Sequence, residues 1–378
     1  MIPSADFVDA LAARDFRLFS GVPCSYLTPL INTVITSDAI DYIGAANEGD
    51  AVSIVAGAEL AGARGVVLFQ NSGLGNAVNA FTSLTETFRI PMLVLCTWRG
   101  QPGGSPDEPQ HDRMGDITPE LFELMGIPAA IFPADPDDME ALVDRAVEHM
   151  DTEGTPFAII IPKGALTGKA VPTPHARRPL ESPSEIPGTL DHALDPDETM
   201  RVVRAATADD AVLATTGFTG RALYAQGDRD NHFMMVGSMG CISSLGLGIA
   251  RILPDRRTVV LDGDGSLLMR LGAAATIGFE NPDNLVHVLL DNAVHDSTGA
   301  QATVSPHVDF GQLARACGYG RVERIDSLDA LAEALEDRSP GLRFLHVRTA
   351  ARVDRKLPRP TVTPPEVAER LRGWLRRG

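Results

Sequence analysis

Two residues separated by 27 others carry the most chemistry in this chain. Asp264 stands in Gly263-Asp264-Gly265-Ser266, right after the apolar run Val259-Val260-Leu261, and Asn292 follows the next such run, Leu285 to Leu290. Glycines let backbone N–H groups come close to phosphate oxygens, and a carboxylate is the hard oxygen ligand that Mg²⁺ prefers. The stretch between them has room for one helix, Leu267 to Gly278. A strand-helix-strand crossover of that length brings the ends of two parallel strands side by side. Asn292 can then offer its amide oxygen to the same metal, and the pair reads as a magnesium-diphosphate site. The competing reading is a tight strand-to-helix turn in which Asp264 caps the helix that follows.

The elements needed to hold such a pair are visible along the chain. Short apolar runs at 66–69, 92–95, 157–161, 212–214, 259–261 and 285–290 suit strands buried on both faces of a parallel sheet. Helical patterns lie between them at 48–63, 76–88, 137–149 and 267–278, and 366–376 reads as a C-terminal amphipathic helix. The expected fold class is α/β throughout. From Pro172 the composition shifts to proline, serine and charge, which marks a linker over 172–197 between domains at 1–171 and 198–378. No short-period repeat is apparent.

Composition narrows the partners. With 33 basic and 50 acidic residues the net charge is −17, which disfavours attraction to nucleic acid or to an anionic membrane. No stretch is long and apolar enough to span a bilayer. The segment Met1 to Phe19 lacks the layout of a signal peptide, and the expected location is cytoplasmic. Cys24, Cys96, Cys241 and Cys317 are isolated, so reduced thiols are expected rather than a zinc site or disulfides.

The Gly-Asp-Gly and spaced Asn resemble the diphosphate motif of thiamine diphosphate (ThDP) enzymes. That resemblance implies Asp264 and Asn292 as side-chain ligands of Mg²⁺ and the Val294 carbonyl as a backbone ligand, with Gly263, Gly265 and Ser266 around the diphosphate. Many members carry Asn-Asn where this chain has Asp291-Asn292. It further places Glu48, in Ala46-Asn47-Glu48-Gly49-Asp50, beside the aminopyrimidine N1′ atom, where a shared proton favours formation of the thiazolium ylid. A carboxyl in apolar surroundings can keep a proton near neutral pH. Read without the family, Glu48 is a first-turn residue favoured by the helix dipole. In Gly237-Ser238-Met239-Gly240, the resemblance makes Met239 the wedge that keeps the cofactor bent and the Gly237 carbonyl the acceptor for its 4′-amino group. The plain alternative for Met239 is a core filler.

The order of these motifs implies a pyrimidine-binding domain followed by a diphosphate-binding domain, with no middle domain. Within that compact branch the chain is similar to the phosphonopyruvate and sulfopyruvate decarboxylases. The resemblance rests on Gly21-Val22-Pro23-Cys24-Ser25, Asn71-Ser72-Gly73-Leu74-Gly75-Asn76, Trp98-Arg99-Gly100, Asp107-Glu108-Pro109-Gln110-His111 and His295-Asp296-Ser297-Thr298-Gly299-Ala300-Gln301. Ala300 stands where a second glycine is expected. The implied reaction is decarboxylation of 3-phosphonopyruvate to phosphonoacetaldehyde, in phosphonate biosynthesis, with sulfopyruvate or another small 2-keto acid as the alternative substrate.

Arg99 offers a planar fork to a phosphonate or carboxylate, unless it pairs with Asp107 or Glu108. His111 and His295 are candidate proton donors after CO₂ departs, and each has an ordinary structural alternative. The stretch Gln101 to His111 reads as a cover over the site. The resemblance also implies a homo-oligomer whose active sites are shared between subunits. A nicotinamide dehydrogenase is excluded by spacing, since G-x-G-x-x-G fails at Val78, Arg251 and Leu268. A binding subunit without catalysis is the non-enzymatic reading, and the joint presence of Glu48, Asp264 and Asn292 speaks against it.

Overall fold

The computed structural model describes residues 1–168, 186–352 and 356–377. It divides into two compact units, Met1–Ala176 and Arg177–Gly378. The part of the expected linker at 172–185 lies outside the described residues, while 186–195 docks on the second unit through Arg324 N–H to the Pro187 carbonyl and Leu194 N–H to the Arg348 carbonyl.

In the first unit six strands form one sheet: β1 (Phe16–Gly21), β2 (Asp41–Gly44), β3 (Arg64–Gln70), β4 (Leu93–Thr97), β5 (Ala129–Ile131) and β6 (Phe157–Ile161). Their spatial order is 2-1-3-4-6-5 and every pairing is parallel. Helix α1 (Glu48–Leu60) is buried at all thirteen positions, which explains why it carries no amphipathic stripe in the sequence. Helix α2 (Leu74–Ala80) runs on through a π turn at Phe81–Thr85 to Phe88.

The second unit repeats the arrangement. Strands β7 (Ala211–Ala214), β8 (His232–Met234), β9 (Thr258–Gly263), β10 (Leu285–Asp291), β11 (Arg321–Ile325) and β12 (Arg343–Arg348) lie in the order 8-7-9-10-12-11, again all parallel. This is the strand order of the first unit shifted by six. In each unit the connections diverge between the first and third strands, and ligands of open parallel sheets sit at the carboxyl ends of strands beside such a switch point.

One sequence expectation is corrected here. The single helix expected over 267–278 is two, α3 (Asp264–Met269) and α4 (Gly272–Glu280). Arg270 leaves helical geometry at φ −135°, ψ 53°, at the place where its side chain packs against Gly240 of the preceding turn. Apolar periodicity reports burial on both sides of such a break and does not register the break itself.

Candidate active site

In the second unit the expected residues converge on a cleft of about 300 Å³ at the carboxyl ends of β7, β9 and β10. Parallel pairing sets Gly263 beside Leu290, so Asp264 and Asn292 leave adjacent strands one and two residues further on. Asp264 is buried, and Thr303 donates to its Oδ2 at 2.5 Å. Burial pushes this carboxyl above its ordinary range, and the Thr303 hydrogen bond opposes that. The Asn292 amide nitrogen donates to Asp296 Oδ2 at 2.7 Å, and its Oδ1 accepts from Val294 N–H at 3.1 Å. Asp296 in turn accepts from the Arg352 backbone N–H with both oxygens, at 3.1 Å each.

The loop after β10 is a short antiparallel hairpin in which Val294 faces Ala302 and His295 faces Gln301. Thr303 N–H closes it on the Ala293 carbonyl at 2.8 Å, so the segment that supplies Val294 also returns Thr303 to Asp264. Ala300 sits in the left-handed region at φ 59°, which is the physical reason a glycine is expected there. Asp291 accepts from Ser305 Oγ at 2.5 Å and pairs with His346 Nε2 at 3.0 Å. Burial acts to raise its pKa, but these partners outweigh it and hold the carboxyl below the usual range. A carboxylate is therefore well accommodated beside Asn292.

From the 237–240 segment Met239 reaches the lining of the same cleft, and Ser266 ties three segments together. Its Oγ lies 2.9 Å from Thr215 Oγ1 after β7 and accepts from Gly240 N–H at 3.1 Å. Met239 lines the cleft together with Gly263, Asp264, Gly265, Ser266, Val294 and His295. A Cβ at Gly265 would come within 2.5 Å of His295 Cε1 and 3.4 Å of Met239 Cε, so the bare backbone there makes room for the His295 imidazole beside Met239. A Cβ at Gly263 would meet nothing within 4 Å. The donor set of a carboxylate, an amide oxygen and a backbone carbonyl is all-oxygen and suits Mg²⁺. Among the described residues no cluster of three or more His, Cys, Asp or Glu forms a metal site by itself. The residues fit a metal-bound diphosphate.

In the first unit Glu48 opens α1 at the end of the β2 loop, with the Asn47 side chain accepting from Gly49 N–H at 2.9 Å. The Glu48 side chain is buried against Gly73, and Asn76 Nδ2 donates to its Oε2 at 2.8 Å. Asn71, also buried, holds the backbone of Arg99 from both sides: it donates to the Arg99 carbonyl at 2.9 Å and accepts from Arg99 N–H at 3.2 Å. The Arg99 guanidinium lies 4.8 Å from the centre of the Tyr26 ring and grips Asp107 through Nε at 2.6 Å and through Nη2. Tyr26 OH donates to the same carboxylate at 3.0 Å. Arg99 and these hydrogen bonds hold the Asp107 carboxyl far below the ordinary range. Two of the three guanidinium nitrogens are thus taken, and Nη1 is the edge left to meet another anion. His111 is buried, and its Nδ1 has no hydrogen-bond partner among the described residues.

The structure therefore gathers Met239, Gly263, Asp264, Gly265, Ser266, Asn292, Val294 and His295 in the second unit, and it carries Glu48, Arg99 and His111 on the first. Sequence reasoning gave no role to Thr303, Asp296, Thr215 or Tyr26. Asp296 lies inside a motif that had been singled out, whereas nothing in the sequence around Thr303 signals that it returns to Asp264.

Comparison with known proteins follows the same division. Residues 4–116 match the N-terminal TPP binding domain of thiamine pyrophosphate enzymes and residues 216–347 match the C-terminal TPP binding domain. The chain is 42% identical over 392 residues to the phosphonopyruvate decarboxylase of Streptomyces viridochromogenes, covering 99% of this chain and 95% of that protein. It is 29% identical over 358 residues to the sulfopyruvate decarboxylase of Methanosarcina acetivorans, covering 91% and 90%. Among solved structures, the thiamine diphosphate-dependent 4-hydroxybenzoylformate decarboxylase of Rhodococcus jostii superposes with a TM-score of 0.72 at 14% identity, covering 93% of this chain and 99% of that one. That last likeness is one of fold alone.

Proposed function

The chain belongs to the phosphonopyruvate decarboxylase family of thiamine pyrophosphate enzymes, and from that membership we propose that it decarboxylates 3-phosphonopyruvate to phosphonoacetaldehyde and CO₂ with ThDP and Mg²⁺. The observation that carries the cofactor reading is the buried Asp264 carboxylate beside Asn292, with open space over Gly263. Bound there, ThDP supplies the electron sink for the carbon–carbon bond that breaks. Asp264, Asn292 and the Val294 carbonyl are the residues that hold the metal, and Gly263, Gly265 and Ser266 cradle the diphosphate. Met239, in the cleft wall, would support the cofactor, and the Gly237 carbonyl would be the acceptor for its amino group.

Glu48 would be the residue that shares a proton with the pyrimidine ring. The proton that replaces the lost carboxylate comes from His111 or His295, the first with an unpartnered ring nitrogen and the second standing over Gly265. Arg99, stiffened by Asp107 and Tyr26, presents Nη1 to the remote anion of the substrate, which favours a phosphonate-bearing keto acid over pyruvate. Glu48 and Asp264 lie on different units, and a homo-oligomer that shares sites between subunits brings them to one cofactor. Four free cysteines suit a reducing compartment, in keeping with a cytoplasmic enzyme.

Sulfopyruvate is the second reading, supported by the more distant relative. Direct competition separates the two: with both keto acids present at equal concentration, phosphonoacetaldehyde is expected to form in at least tenfold excess over sulfoacetaldehyde. The reverse ratio reassigns the substrate.

A further inference from the structure

The carboxyl of Glu48 is fixed from two sides by residues of a single short segment. On one side Asn76 Nδ2 donates to Oε2 at 2.8 Å. On the other the carboxyl lies on the bare backbone of Gly73, where a Cβ would come within 2.0 Å of Oε1, 2.4 Å of Cδ and 2.7 Å of Cγ. Any side chain at 73 would displace the carboxyl, and loss of the amide at 76 would release one of its oxygens. Both contacts come from Asn71-Ser72-Gly73-Leu74-Gly75-Asn76, which turns from β3 into α2.

Resting on the ThDP reading, we infer that Asn76 is a positioning residue for Glu48 that decides which carboxylate oxygen carries the shared proton. An oxygen that already accepts an N–H is the weaker base of the two, which leaves Oε1 as the oxygen to share a proton with the pyrimidine nitrogen. A carboxyl with a settled proton position presents the same atom to the pyrimidine nitrogen in every turnover. A freely turning carboxyl divides its population between orientations, and only one of them is productive. Asn76 acts on the reaction through Glu48 alone in this account.

The test is exchange of the thiazolium C2 proton, followed by NMR in enzyme loaded with ThDP and Mg²⁺. Asn76→Ala and the near-isosteric Asn76→Asp are each expected to slow exchange on the order of 10- to 100-fold, the worth of one hydrogen bond to a charged group. ThDP affinity and the KM for phosphonopyruvate are expected to stay within about threefold. The decisive arm is the double variant: in Glu48→Gln, adding Asn76→Ala is expected to slow exchange no further. Wild-type exchange in Asn76→Asp, or an additive loss in the double variant, overturns the inference. A second measurement does not depend on the cofactor. In the chain without ThDP, the Glu48 carboxyl ¹³C resonance, assigned by its loss in Glu48→Gln, is expected to shift in Asn76→Asp, and an unmoved resonance also overturns it. A shifted resonance in a chain that neither binds ThDP nor turns over would leave Asn76 in contact with Glu48 and sink the cofactor reading instead.

Discussion

Asp264 is the residue on which the proposed chemistry turns. It is buried at the mouth of a parallel sheet, its carboxyl is pushed above the ordinary range by that burial, and no cationic side chain pairs with it among the described residues. A divalent cation is the natural partner for such a group, because an adjacent positive charge restores the ionised form. Asp264→Ala is accordingly expected to weaken ThDP binding in magnesium buffer by a factor on the order of 100 or more, measured by calorimetry, since outer partners of a metal already account for 10- to 100-fold. Undiminished affinity would remove Asp264 from the site. The proposed role of Asp264 is legible in the sequence because a ligand type, two glycines and a spaced asparagine form a local pattern. Arg99 is legible only in part. Its fork was read as open to substrate or closed on Asp107, and in the structure Nε and Nη2 are closed on Asp107 while Tyr26, 73 residues earlier, completes the clamp.

At the level of elements, the hairpin after β10 orients the side chains of Asp264 and Asn292. Asp296 accepts the Asn292 amide N–H₂, which turns the amide oxygen the other way, and the Arg352 backbone anchors Asp296 in its turn. Asp296→Ala is expected to lower Mg²⁺ affinity of the ThDP complex by about 10- to 100-fold while leaving the melting temperature of the chain without cofactor within a few degrees. Equal loss of metal affinity and fold stability would make Asp296 a structural residue instead. The elements themselves were well signalled, since buried parallel strands are continuous apolar runs and six of them fell on sheet strands. What the sequence concealed is a matter of long-range return. Thr303 reaches Asp264 because the hairpin folds back, and the split of the helix at Arg270 follows from the Gly237–Gly240 turn packing there. The edge strands at 129–131 and 321–325, one only three residues long and partly exposed and the other alternating charge with apolar residues, present no long continuous apolar run.

At the scale of the whole molecule, two units share one strand order, and the proposed site draws on both, Glu48 from one and Asp264 and Asn292 from the other. No amino-acid repeat announces this, because strand order constrains burial rather than residue identity. If sites are shared between subunits, co-expressing Glu48→Gln chains with Asp264→Ala chains is expected to restore activity from two inactive parents, as one site in each mixed dimer then carries neither lesion. Continued inactivity in mixed dimers confirmed by mass spectrometry would place each site within a single chain. Above all of these stands the reaction itself, and one measurement reaches it most directly: the purified wild-type chain, stripped of cofactor, assayed with phosphonopyruvate for CO₂ and phosphonoacetaldehyde. Equimolar products are expected only when ThDP and Mg²⁺ are both restored. Turnover that survives without ThDP, or none when both are present, would contradict the account.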